Sequence, residues 1–360
     1  MAKIIKNPLY LDTTFYDVPE DLVYPKKTAL EILKSILWEV EKGYTPVKRI
    51  VYGPKGCGKT TLTYYLYKEY KEKLRKKGIY TAYIYCKDIS TWPGILSAVI
   101  AAFPVKSEED KKIMPEYNLR NWILNINYEI DVMFILDEVS TLKPKSFERL
   151  IDALTVDEMP EVKPRINFII LTNNRRQTEW IKRERGDLLD RCGGNILEPF
   201  SEYTKEELRN ILKKRAEYSL YEGTYDEDII NYIIDLLEET IKSPIWPRDV
   251  IEALRNSAKL AEIEGSKKIE KNHVKRVIYD IIYHRNKDKI TPKHANILVA
   301  LYYYVEEESE RIPSLANFID KTYPKILREV REAKPAFLSL IHISEPTRPL
   351  YISYAVFCLK

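Results

Sequence analysis

The sequence predicts an α/β fold: a parallel sheet with helices on both faces, followed by a helical domain. Three stretches carry that expectation: the glycine-rich turn "YGPKGCGKTT" (52–61) and two apolar runs with polar ends, "DVMFILDEVS" (131–140) and "INFIILTNN" (166–174). Strands of a parallel sheet are covered on both faces, so they read as near-continuous apolar runs. "VKRIVY" (47–52) is β-branched, and "TTLTYYLYKEYKEKLRKK" (60–77) spaces its apolar residues as a helix does. Strand, glycine-rich turn and helix together are the context of a phosphate-binding loop. With "YTAYIYC" (80–86) as another strand, the first 200 residues read as a doubly wound domain.

Each residue of the loop then has an expected task. Gly53, Gly56 and Gly58 allow a tight turn and close backbone approach, and Pro54, Lys55, Cys57 and Thr61 complete the cradle, Cys57 as a tolerated small residue. Backbone N–H groups and the helix N-terminus meet the phosphates. Lys59 reaches the β- and γ-phosphates, and the Thr60 hydroxyl ligates Mg²⁺. At the tip of the second run Asp137 is placed to hold Mg²⁺, and Glu138 to orient and deprotonate a water. The third run ends in Asn173, expected to hydrogen-bond the γ-phosphate or that water. The two tips are expected side by side, where open α/β sheets bind ligands. Such a set predicts an ATPase site using ATP and Mg²⁺.

Bulk properties narrow the setting. A length of 360 residues allows two or three domains, and 45% apolar with 31% charged residues is ordinary for a globular chain. No run of 18 apolar residues occurs and no charged-then-apolar leader opens the chain, so no membrane partner is expected and cytoplasm is the default. The four cysteines (Cys57, Cys86, Cys192, Cys358) lack metal-ligand spacing, and His273, His284 and His294 have no ligand companions near them. A single glutamine, Gln177, amid abundant Lys and Glu suggests a hot habitat.

The segment "GDLLDRCGGNILEPFSEYTKEELRNILKKRAE" (186–217) is the most informative about type. Thr204 and Glu207 form a T-x-x-E capping box, opening a helix with Leu208, Ile211 and Leu212 at helical spacing. Arg191 precedes a Gly-Gly turn and a short "NILEPF" strand, at the rim of the α/β domain. In motif order and wording the chain resembles the archaeal origin-recognition initiators of the AAA+ ATPases, over roughly residues 10 to 337. The likeness rests on "YIYC", "LDE", "ILTNN", "LLDR" before "EPFSEYTKEELRNILKKR", and "WPRDVIEALRNSAKLAEIEGSKKIEKNHVKRVI" (246–278). It departs at "YPKK" (24–27), where the family carries "HR", at Pro247 before the arginine, and over 92–120.

That resemblance implies an ATP-dependent replication initiator that binds double-stranded origin DNA, assembles with other initiator subunits and recruits a replicative helicase. It implies Arg248 as a cis contact to ATP and Arg191 as a finger toward a neighbour. It implies an AAA+ domain over 1–200, a helical lid over 201–288 and a partial winged helix over 289–337. Residues 267–293 hold nine Lys/Arg against three acids, a surface able to neutralise DNA phosphates. Two other readings stay open: a clamp-loader subunit, suggested by "DRC" at 190–192, and an AAA+ helper of transposition or plasmid maintenance. The tail "LSLIHISEPTRPLYISYAVFCLK" (338–360) changes character, with only Glu345, Arg348 and Lys360 charged, and is similar to a translated sequencing-library adapter. The gene's own frame is expected to leave the read near Phe337. Removing two basic residues and one acid would take the net charge from +4 to +3.

Overall fold

The computed structural model describes residues 3–43, 45–102, 131–155, 165–241 and 244–286. Five parallel strands form one sheet in the order β2-β3-β4-β1-β5: β1 Lys48–Tyr52, β2 Ile79–Tyr85, β3 Asp131–Asp137, β4 Ile166–Thr172 and β5 Ile196–Leu197. Strands β3 and β4 are buried along nearly their whole length because helices cover both faces. One face packs Ile84, Phe134, Phe168 and Ile170 against the helices Trp92–Ala102 and Pro144–Leu154. The other packs Val51, Met133, Ile135 and Ile169 against the helices Lys27–Lys42 and Lys59–Lys76. The AAA+ α/β layering that the sequence predicts is present.

The register fixes which strand tips are neighbours. Tyr52 lies opposite Thr172, Leu136 opposite Ile170, and Tyr85 opposite Asp137. The ends of β1, β4, β3 and β2 therefore form one edge, from which the loop 53–58, Asn173, Glu138 and Cys86 continue.

The described chain divides into two compact units. The larger holds residues 13–214 together with Trp246–Asp249; the smaller holds the first twelve residues, 215–245 and the chain from Val250 onward. The larger unit thus runs past residue 200 to 214, and it includes Trp246–Asp249. The N-terminal segment joins the smaller unit because it pairs with it. Ile5 forms an antiparallel bridge with Leu220, Lys6 N–H donates to Ser219 O at 2.7 Å, and the Ile4 and Ile5 amides both donate to Glu262 Oε1 at 2.8 Å. The core of that unit is aliphatic, with Ile229, Ile233, Leu237, Leu254 and Ile278 buried. Residues 289–337 and 338–360, the expected winged helix and tail, lie outside the described residues, as does most of 92–120.

The T-x-x-E box forms as its spacing predicts. Thr204 N–H donates to Glu207 Oε2 at 2.7 Å, and Glu207 N–H donates to Thr204 Oγ1 at 3.2 Å. Glu207 also takes the Lys26 ammonium at 2.5 Å, so the cap is tied to the start of the first long helix. Thr204→Ala should destabilise the chain by about 1 kcal/mol, seen as a lower urea midpoint; an unchanged midpoint would mean the helix start is held elsewhere.

Candidate active site

The loop 53–58 turns from β1 into the helix Lys59–Lys76, and its glycines are dictated by geometry. Gly56 and Gly58 sit at φ +85° and +89°, where an L side chain is strained. A Cβ on Gly56 would lie 2.8 Å from the Arg248 Cβ, and one on Gly53 would lie 2.8 Å from Phe200 and 2.9 Å from Lys59. Gly58 is also the helix N-cap and gives it no side-chain hydrogen bond, so the first-turn amides and the positive dipole end can face an anion. Lys59 is only 4% exposed, and its ammonium donates to Gly53 O at 2.6 Å and Pro54 O at 2.9 Å. These carbonyls replace part of its hydration and hold a positive charge inside the loop.

Asp137 ends β3 and is fully buried. Its Oδ2 accepts the Tyr83 hydroxyl at 2.6 Å, and its Oδ1 accepts the Glu138 N–H at 2.8 Å. Burial pushes this carboxyl above its ordinary range, against the pull of the Tyr83 and Thr60 hydrogen bonds and the Lys59 ammonium. Glu138 follows at φ 58° and ψ 39°, the one non-glycine residue at positive φ among the described residues. Its Oε2 accepts Asn173 Nδ2 at 3.1 Å and Ser140 Oγ at 3.3 Å. Strain at such a position is often tied to function.

The tips are bolted together by neighbouring polar groups. Asn174 caps the helix Arg175–Glu184 by accepting the Gln177 N–H at 3.1 Å, and its amide donates to Ser140 O at 3.2 Å. Gln177, the chain's lone glutamine, is buried and accepts the Thr172 hydroxyl at 2.9 Å while donating to Leu142 O at 3.2 Å. Deleting either amide leaves buried polar groups unpaired in the hinge between β3 and β4.

The structure therefore brings Lys59, Thr60, Asp137, Glu138 and Asn173 to one sheet edge. Arg248 also lies against the loop: its N–H approaches Gly56 O at 3.5 Å, and its charge is felt by the Tyr85 hydroxyl. Arg191 does not join them. It ends the short helix Gly186–Arg191 and pairs with Asp152 at 3.3 Å. Sequence reasoning missed one contact to the loop and the two that hold it in place. The Tyr203 hydroxyl donates to Cys57 O at 3.0 Å, Lys26 Nζ lies 4.6 Å above the Tyr203 ring, and Trp246 meets that ring edge-on at 6.3 Å. It also missed Tyr83, since "YTAYIYC" shows which residues share a face but not which strand lies beside them.

An oxygen donor set of one buried carboxylate and one hydroxyl suits Mg²⁺, and the glycine cradle beside a caged lysine suits polyphosphate, so the residues fit both. This cradle, the paired acids and the layered sheet define a phosphate-loop nucleotide-binding protein of the AAA+ class. Family models agree, matching an AAA domain at 49–173 and a "Cdc6 AAA+ ATPase-type lid domain" at 209–278. The ORC1-type DNA replication protein 3 of Sulfurisphaera tokodaii is 27% identical over 291 residues, covering 78% of this chain and 69% of that protein. The ORC1-type DNA replication protein of Thermococcus kodakarensis is 26% identical over 350 residues, 92% of this chain and 79% of that one. Among solved structures, the Aeropyrum pernix ORC1 protein in complex with DNA shares the fold with TM-score 0.61 at 18% identity, covering 93% of this chain and 88% of that one. The chain thus carries an AAA domain and a Cdc6-type lid domain, and its relatives are archaeal ORC1-type DNA replication proteins. No helix of the described residues is long and apolar enough to cross a membrane.

Proposed function

We propose that the chain is an ATP-switched initiator of DNA replication. It binds duplex origin DNA, assembles with other initiator subunits and helps to load a replicative helicase, while turning ATP and water slowly into ADP and phosphate. The observation that carries the chemistry is the meeting of Glu138 and Asn173 at adjacent strand tips, beside buried Asp137 and in the same compact unit as Lys59. The names of the ORC1-type relatives and the DNA complex of the Aeropyrum pernix protein support the DNA-replication part of the reading.

In this reading Lys59 and the amides of 53–61 hold the phosphates, Thr60 and Asp137 hold Mg²⁺, and Arg248 contacts ATP in the same subunit. When bound, Mg²⁺ offsets the negative charge on the transferring phosphoryl group. Glu138 accepts the proton of the attacking water, and Asn173 fixes the pose of its carboxylate. Arg191 serves a neighbouring subunit's site as a finger. The basic stretch 267–293, described here as far as Asn286, contributes phosphate contacts to DNA.

Glu138→Gln tests both parts, since it keeps the side-chain shape and removes the base. Hydrolysis should fall about 100-fold or more. ATP should stay bound, and affinity for duplex DNA should rise about tenfold with ATP over no nucleotide. Equal DNA affinity with and without ATP would end the switch reading, and undiminished hydrolysis would remove Glu138 as the base.

A further inference from the structure

We propose that Tyr83 is a positioning residue for the Mg²⁺-holding carboxylate: its hydroxyl, fixed by a cage of tyrosine rings, sets the orientation in which Asp137 meets the ion. The inference rests on the reading of Asp137 as that carboxylate. A buried aspartate at a strand end can turn about its side-chain bonds, and two hydrogen bonds define this one. Tyr83 donates to Oδ2 at 2.6 Å, and Glu138 N–H donates to Oδ1 at 2.8 Å. Two carboxylate oxygens offer about four acceptor sites, so these bonds orient the group and still leave capacity for a cation or its water.

Tyr83 is itself held on several sides. The rings of Tyr64, Tyr67 and Tyr16 lie 5.2 Å, 5.6 Å and 6.3 Å from its own, the first edge-on. Tyr16 also meets Tyr64 at 4.9 Å and Tyr85 at 5.6 Å. Tyr64 and Tyr67 of the helix Lys59–Lys76 thus converge with Tyr16 and with Tyr83 and Tyr85 of β2, the strand beside Asp137. Such ring pairs favour defined geometries beyond the area that they bury, so the hydroxyl has little freedom to leave Asp137. Outer partners of metal ligands act by this route, fixing the ligand rather than touching the ion.

The test is equilibrium binding of a fluorescent ATP analogue to the full chain, titrated with Mg²⁺, for wild type, Tyr83→Phe and Tyr67→Phe. Tyr83→Phe keeps the ring and its packing and removes only the donor. The Mg²⁺ concentration for half-maximal tight binding should rise about tenfold or more, while affinity in EDTA stays within twofold. Tyr67→Phe, which removes a hydroxyl from the same cluster, should match wild type. A Tyr83→Phe titration that overlays wild type would overturn the inference and leave the site reading intact. An equal loss in EDTA and in Mg²⁺, or an equal shift in Tyr67→Phe, would overturn it in favour of general packing. Wild type with no Mg²⁺-dependent binding at all would overturn the site reading, and this inference with it.

Discussion

Lys59→Ala should lower the affinity for ATP by about two orders of magnitude, with the far-ultraviolet circular dichroism unchanged. The side chain is 4% exposed, and its ammonium is held by Gly53 O and Pro54 O, within the same loop whose amides would meet the phosphates. Removing one partner of a desolvated charge pair costs about 2–5 kcal/mol, and each 1.4 kcal/mol is roughly tenfold in affinity. The variant also strands two loop carbonyls, so a drop in stability is expected, about 1–3 kcal/mol for each that water cannot reach. Calorimetric titration with ATP and Mg²⁺ decides the matter. Binding within fivefold of wild type would place the phosphates somewhere other than this loop. Lys59→Arg is the useful companion: it keeps the charge but carries a wider planar head, and the Cβ that Gly53 lacks would already lie 2.9 Å from Lys59. It should therefore recover little.

Most of this site was legible because its signals are local. A phosphate loop is written in glycine spacing, and its three glycines stand where positive φ or close packing needs them. The capping box is a four-residue pattern, and both of its hydrogen bonds are present. Apolar runs ending in Asp-Glu and Thr-Asn-Asn gave β3 and β4, and their adjacency could be argued because ligand-binding tips cluster in parallel sheets. What escaped the sequence depends on partners distant in the chain. Nothing near Tyr203 announces that its hydroxyl reaches Cys57, 146 positions away. Tyr83 and Asp137 are 54 positions apart and meet only because β2 pairs with β3 in one particular register. The helix Pro247–Ile263 is continuous, yet Trp246–Asp249 packs against Gly56 and Tyr203 and falls in the unit that holds the loop. Helical spacing identifies an element without saying which core receives its first turn.

The placement of acids and amides at the sheet edge depends in turn on the core beneath them, and that gives the second large effect. Phe134→Ala should destabilise the α/β unit by about 3–5 kcal/mol, the usual range for emptying a buried phenylalanine site. Phe134 lies on β3 opposite Phe168 on β4, both are fully buried, and Phe147 of the helix Pro144–Leu154 joins the same cluster. Little can collapse into the gap, because the neighbouring positions on both strands are themselves filled and held in register. Domains are stable by only about 5–15 kcal/mol, so the variant should unfold at a much lower urea concentration with its slope unchanged. Phe134→Leu, closer in volume, should cost about 1.5 kcal/mol or less. The effect should also reach the chemistry. Asp137 is three residues further along β3, and Asn173 follows the end of β4, so a pair of strands loosened at Phe134 and Phe168 no longer holds Glu138 against Asn173 at 3.1 Å. In the folded fraction, hydrolysis should therefore fall more than ATP affinity, since the loop 53–58 is anchored on β1. A loss below about 1 kcal/mol, or equal falls in hydrolysis and affinity, would show that the tips are positioned by their own hydrogen bonds alone, independently of the aromatic pair below.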